Sequence, residues 1–171
     1  MASLRYRCLE SNPKTVEYPV AASQYFYHEG ESIVHLDSSG HVTKSITATA
    51  TILGMAIVPK GMGAGSDSDY WLSSATAGKD KMMVILAESG YEFLMPGIIT
   101  ATAAMIGGAW DIIAANDNAG TIAQGANTTH HIDLDTSSTD IVIATKLGTV
   151  VDGGLATDIV VKINPLKIQA D

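Results

Sequence analysis

One cysteine, Cys8, in 171 residues leaves nothing from which to build an intrachain disulfide framework or a Cys-based zinc site. Charge is also sparse: Asp, Glu, Lys and Arg make up 16% of the chain, against a usual share of roughly 25%. What charge there is runs acidic, with 10 Lys and Arg against 18 Asp and Glu and a net charge of −8. That balance excludes a broad basic surface for nucleic acid. Long hydrophobic runs are missing as well. The longest uncharged stretch, Phe93 to Trp110, is broken by Pro96, Gly97, Gly107 and Gly108 and carries Thr100 and Thr102, which does not suit a lipid-facing helix. Met1 to Glu10 lacks the apolar core of a secretory signal. The expectation is a soluble protein, made in a reducing compartment, with neither membrane nor nucleic acid as partner.

Catalytic signatures are lacking too. There is no G-x-S-x-G elbow and no phosphate-binding loop ending in Lys-Ser or Lys-Thr. Gly61-x-Gly63-x-Gly65 has the wrong spacing for a dinucleotide fingerprint, and no helix is predicted after it. Nothing near Cys8 marks it as an activated thiol. The chain reads as a non-enzyme with no cofactor.

What the sequence does have is short β-type runs with turn chemistry between them. Ser32 to Leu36 is apolar and β-branched, Asp37-Ser38-Ser39-Gly40 is a turn, and His41 to Ser45 resumes extended, so Gly30 to Ser45 predicts a hairpin. Further strands are predicted at Met82–Ala87, Tyr91–Leu94, Trp110–Ile113, His131–Leu134, Asp140–Ala144 and Asp158–Ile163. Helical periodicity is weak, with room for one or two turns at Tyr70–Ala75 and Ala101–Met105. The fold class is therefore mainly β: a small antiparallel β-barrel or sandwich over residues 19–171, with few short helices. Residues 1–18 are expected to form an extended N-terminal arm. Its first 14 residues contain Arg5, Arg7 and Lys14 against Glu10, a net +2, which leaves −10 on residues 15–171. Ile46–Gly54 (ITATATILG) and Ile99–Gly107 (ITATAAMIG) share six of nine residues at an offset of 53, an echo suggesting two related β layers.

Three polar clusters invite a binding role, and each has a plainer explanation. His131, Asp133 and Asp135 share one face of an extended strand, where imidazole and carboxylates suit a divalent ion. Ile132 and Leu134 alternate with them, however, which is the pattern of any half-buried antiparallel strand. Asp67-Ser68-Asp69 has oxygen density but not the remaining calcium-loop pattern. Asp117-Asn118-Ala119-Gly120 reads as a turn. No metal site is assigned. Among the aromatics, Tyr70, Trp71, Tyr91, Phe93 and Trp110 border predicted strands as core or interface anchors, or as a carbohydrate platform if exposed together. Tyr18, Tyr25, Phe26 and Tyr27 gather near the basic arm.

GESIVHLDSSGHVTKSITATATILGMAIV, from Gly30 to Val58, resembles the small β-barrel of tailed-phage head decoration (capsid cement) proteins. The points of likeness are an extended lead-in, a D-S-S-G-x-V turn and an I-L-G-x-A strand. Lys81–Pro96 (KMMVILAESGYEFLMP) is similar to the next stretch of that family, and Asp158–Asp171 (DIVVKINPLKIQAD) to its closing strand. About two thirds of the chain is covered in scattered pieces; Gly61–Asp69 and Ala114–Thr129 depart from the pattern. The resemblance implies a structural virion protein on the outer capsid surface, made in the host cytoplasm. Its partners would be the major capsid protein and further copies of itself, as a homotrimer. The arm is then the expected capsid-contacting element, with Arg5, Arg7, Lys14, Tyr18, Tyr25 and Phe26 as its contact residues. The other function considered is a phage head-fibre base or glycan-binding β module, which would use Trp71.

Overall fold

The computed structural model describes residues 7–27, 33–44, 51–58, 70–88, 90–116, 128–133, 141–148, 150–151 and 155–169. Its first half contributes strands β1 (Arg7–Cys8), β2 (Thr15–Pro19), β3 (Tyr25–Tyr27), β4 (Ile33–Leu36), β5 (Val42–Thr43), β6 (Gly54–Ile57), β7 (Tyr70–Leu72) and β8 (Lys81–Leu86). The second half adds β9 (Glu92–Ala101), β10 (Ala109–Asn116), β11 (Thr128–Asp133), β12 (Val142–Leu147), β13 (Val150–Val151) and β14 (Leu155–Ile163). Single 3-10 turns at Ala103–Met105 and Pro165–Lys167 are the helical elements among the described residues. The protein is mainly β, as its alternating patterns predict.

Among the described residues the strands form three sheets. A seven-stranded sheet runs β1-β9-β11-β10-β12-β14-β13, with β9 also pairing β14. A five-stranded sheet runs β2-β8-β6-β4-β5, and β3 and β7 form a small third one. Most pairings are antiparallel, but β9 and β11 meet in one parallel pair, Gly97 with Ile132. That lone contact is no continuous ladder, so among the described residues the sheets are not closed into a barrel. Of the two architectures expected, the sandwich fits.

The five-stranded sheet is the shared middle layer. Neighbouring residues of a strand point to opposite faces, so Ile33 and Met55 enter one core with Phe93, Met95, Ile141 and Ile159 of the large sheet. Val34, Ala56, Val84 and Leu86 enter a second core with Phe26 and Trp71 of the small sheet. The C-terminal segment ties onto this layer. Ile52 donates to the Lys167 carbonyl (2.6 Å) and accepts from the Gln169 amide (2.8 Å), while the Gln169 side chain bonds both backbone groups of Leu36 (2.8 and 3.3 Å).

Local chemistry explains the expected hairpin. The Asp37 carboxylate accepts from the amides of Ser39 (2.8 Å) and His41 (2.9 Å), and Gly40 takes a positive φ of 79° that a side chain would strain. β4 and β5 then pair antiparallel, His35 opposite Thr43. Elsewhere three expectations change. The helical turns considered at Tyr70–Ala75 give way to β7, because Tyr70–Leu72 finds β3 as a ladder partner. The Ala/Thr echo does not repeat a structure where both copies are described: Gly54 opens β6, whereas Met105–Gly107 ends a 3-10 turn. Thirdly, the described part of the lead-in is extended but is laid into the protein's own sheets. Arg7 and Cys8 stand opposite Leu94 and Phe93, and Thr15–Pro19 stands opposite Ile85–Lys81.

One surface ion pair gives the large sheet a pH dependence. Lys146 Nζ donates to Glu92 Oε2 at 2.7 Å, and that bond, with help from Thr145 and the charges of Lys146 and Lys162, outweighs the burial penalty and holds the Glu92 carboxyl below its usual range. A carboxylate depressed in the folded state stabilises above its unfolded value of about 4.3, and that contribution disappears as pH falls through the lower folded value. Glu92→Gln is therefore expected to cost at most ~1 kcal/mol at pH 7, as partly exposed pairs do, and to flatten the acid side of the stability profile. Urea midpoints at pH 7 and at acid pH check it; an equal loss at both would mean the pair contributes nothing.

Candidate functional site

The residues expected to meet a partner divide into two groups. Arg7 is exposed on β1, which ends the seven-stranded sheet, and Lys14 is exposed just ahead of β2, which ends the five-stranded one. The segment between them is anchored by its backbone. Leu9 donates to the Glu92 carbonyl (2.8 Å), Lys14 donates to the Tyr91 hydroxyl (3.3 Å), and the Lys14 carbonyl accepts from Leu86 (2.9 Å). The Lys14 ammonium stays at the surface, 3.6 Å from Glu88. Arg5 lies outside the described residues.

The aromatic members go inward. Tyr18 is half-buried against the second core, and Tyr25 is half-buried on β3 opposite Leu72. Phe26 is 0% exposed, with its ring centroid 5.7 Å from that of Trp71 at an interplanar angle of 43°. This corrects the reading of Phe26 as a contact residue: its place in β3 points it at Trp71, and no partner can reach it. Trp71, at 1% exposure, is likewise no carbohydrate platform.

The outer edge of β2 has a definite chemistry. Leu86 N–H reaches the Lys14 carbonyl and Val20 N–H reaches that of Asp80, so the even-numbered residues from 14 to 20 bond towards β8. The amides and carbonyls of Thr15 and Glu17 therefore point away from the sheet, as alternate residues of an antiparallel edge must. Pro13 and Pro19 occupy the flanking outward positions and have no N–H to offer. On the same face as the Thr15 and Glu17 side chains, Met83 and Ile57 are 38% and 48% exposed. They extend the cross-strand row that starts at Glu17. Sequence reasoning missed this row. β8 and β6 read as nearly continuous apolar runs with no polar face, and only the layering shows where they overhang the core.

The polar clusters singled out in the sequence fall largely outside the described residues. His131 and Asp133 stand on β11 opposite Ile113 and Asp111, and Asp135 lies outside the described residues, as do Gly61–Asp69 and Asp117–Gly120. Among the described residues no three His, Cys, Asp or Glu side chains gather as a metal would need. In the hairpin, His41 Nδ1 is 3.6 Å from Asp37 Oδ2. Burial raises the Asp37 carboxyl, but the two amide bonds and His41 outweigh it and hold it below the usual range. Burial pushes His35 down, so its imidazole is neutral near pH 7. Burial also pushes the Cys8 thiol up, opposite to what an activated nucleophile requires. Compared with known families, curated proteins and solved structures, the chain finds no match.

Proposed function

We propose that the protein is a non-enzymatic decoration protein of a tailed-phage virion, binding the outer surface of the major capsid shell and stabilising the junctions between capsomers. The observation that supports this reading is the placement of Arg7 and Lys14. Both are exposed at the terminal strands of two different sheets, on a segment held at both ends by backbone bonds, so their charges are presented from a rigid support. An acidic chain of net −8 keeps a crowded particle surface soluble. Repetition over a shell turns a modest footprint into a large total stabilisation.

Deleting residues 1–18 is a poor test, because it removes β1 and most of β2 from the protein's own sheets. Charge reversal leaves the backbone ladder alone. An Arg7→Glu/Lys14→Glu variant with an unchanged circular dichroism spectrum is expected to bind undecorated capsids at least ~10-fold more weakly, chiefly through a slower and salt-dependent association. Sedimentation of protein with intact shells measures it. Unchanged binding of the double variant would remove the assigned contact, and failure of the wild type to bind any shell would remove the function.

A further inference from the structure

We infer that the outer edge of β2 is a self-pairing site, where a second copy of this chain adds its own β2 antiparallel to form a two-fold dimer. Four observations lead there. The open edge is short and bounded, with full donor and acceptor pairs at Thr15 and Glu17 and prolines at both flanking outward positions. Among the described residues no strand lies on that side of β2. Third, the edge is self-complementary in one register. Centred on Val16, Thr15 of each copy faces Glu17 of the other, all four amides find carbonyls, and Lys14 falls opposite Tyr18 with no like charges opposed. Centring on Glu17 sets two carboxylates against each other. Centring on Thr15 turns the Glu17 carbonyl towards Pro13, which has no N–H. Finally, the exposed Met83 and Ile57 flank the edge on the face of Thr15 and Glu17, so pairing extends their row with the second copy's strand.

This contact joins chains in twos and does not by itself generate the threefold association implied by the family resemblance. It is also independent of the capsid-binding proposal, since it uses backbone groups rather than the Arg7 and Lys14 charges.

The two Val16 residues would face each other as a non-hydrogen-bonded pair, the closer kind of antiparallel neighbours. In a Cys8→Ser background, Val16→Cys is expected to form a disulfide-linked dimer under mild oxidation about 10²-fold faster than Thr76→Cys, an exposed turn position reporting random collision. Adding Thr15→Pro removes one outward amide while leaving the β2–β8 ladder intact, and should return the rate to the collisional level. Adding Thr15→Ala should not. Light scattering of the wild type should show a concentration-dependent dimer that Thr15→Pro abolishes. Crosslinking no faster than the Thr76→Cys control, crosslinking indifferent to Thr15→Pro, or a wild-type trimer unchanged by Thr15→Pro would overturn the assignment.

Discussion

Gly54→Ala is expected to destabilise the protein by roughly 3 kcal/mol or more, at the upper end of overpacking effects. A β-carbon at this position would land on the Ile85 carbonyl oxygen and come within 2.9 Å of the carbon that bears it. Those atoms are backbone, so no side-chain rotamer can relieve the clash. The main chains would have to separate at the β6–β8 ladder, where Gly54 stands opposite Leu86 and Met55 opposite Ile85. That ladder is central to the five-stranded sheet, and both cores draw residues from it. Against a total of about 5–15 kcal/mol for a domain, such a loss is a large fraction of what there is. Urea unfolding followed by far-ultraviolet circular dichroism measures it. A midpoint indistinguishable from wild type would mean that β6 and β8 do not approach this closely.

Phe26→Ala should cost a comparable ~3–5 kcal/mol, the range for truncating a fully buried aromatic. Phe26 is 0% exposed and caps the second core together with Trp71, whose own exposure is 1%. Removing the ring takes away the tilted contact at 5.7 Å and leaves a void beneath a two-stranded sheet of only three residues per strand. Isolated hairpins of that size have little stability of their own, so the loss should spread through the layer. The variant is thus predicted to unfold at lower urea and to show red-shifted tryptophan emission as Trp71 meets water. A surface contact residue would behave in the opposite way, with stability unchanged and partner binding lost. The experiment therefore distinguishes the core role of Phe26 from the capsid-contacting role that its neighbourhood in the sequence suggests.

Much of the fold is a local matter and was legible. The apolar β-type run Met82–Ala87, the β-branched run of Asp158–Ile163 and the Asp-Ser-Ser-Gly turn after Leu36 each depend on residues a few positions apart, and each yields the expected strand or hairpin. The candidate site was legible only in its charges. Arg7 and Lys14 are exposed because basic side chains seldom leave water, whatever surrounds them. The inward aromatics were not legible: Tyr25 and Phe26 are adjacent and similar, and only the docking of β3 on β7 decides which of them faces Trp71.

Composition and periodicity by themselves determined a mainly β chain of low charge density, with its turns at the Gly, Asp and Ser clusters. Tertiary structure alone decided three things. It placed the lead-in in the sheets, with Val16 opposite Val84 and Cys8 opposite Phe93; it made the five-stranded sheet a middle layer buried on both faces; and it left the Thr15–Glu17 edge outermost. The reason is the range of the interactions. Turn geometry and side-chain alternation act over two to four residues, whereas strand order is set by partners dozens of residues away, and no local pattern records which of many compatible strands wins.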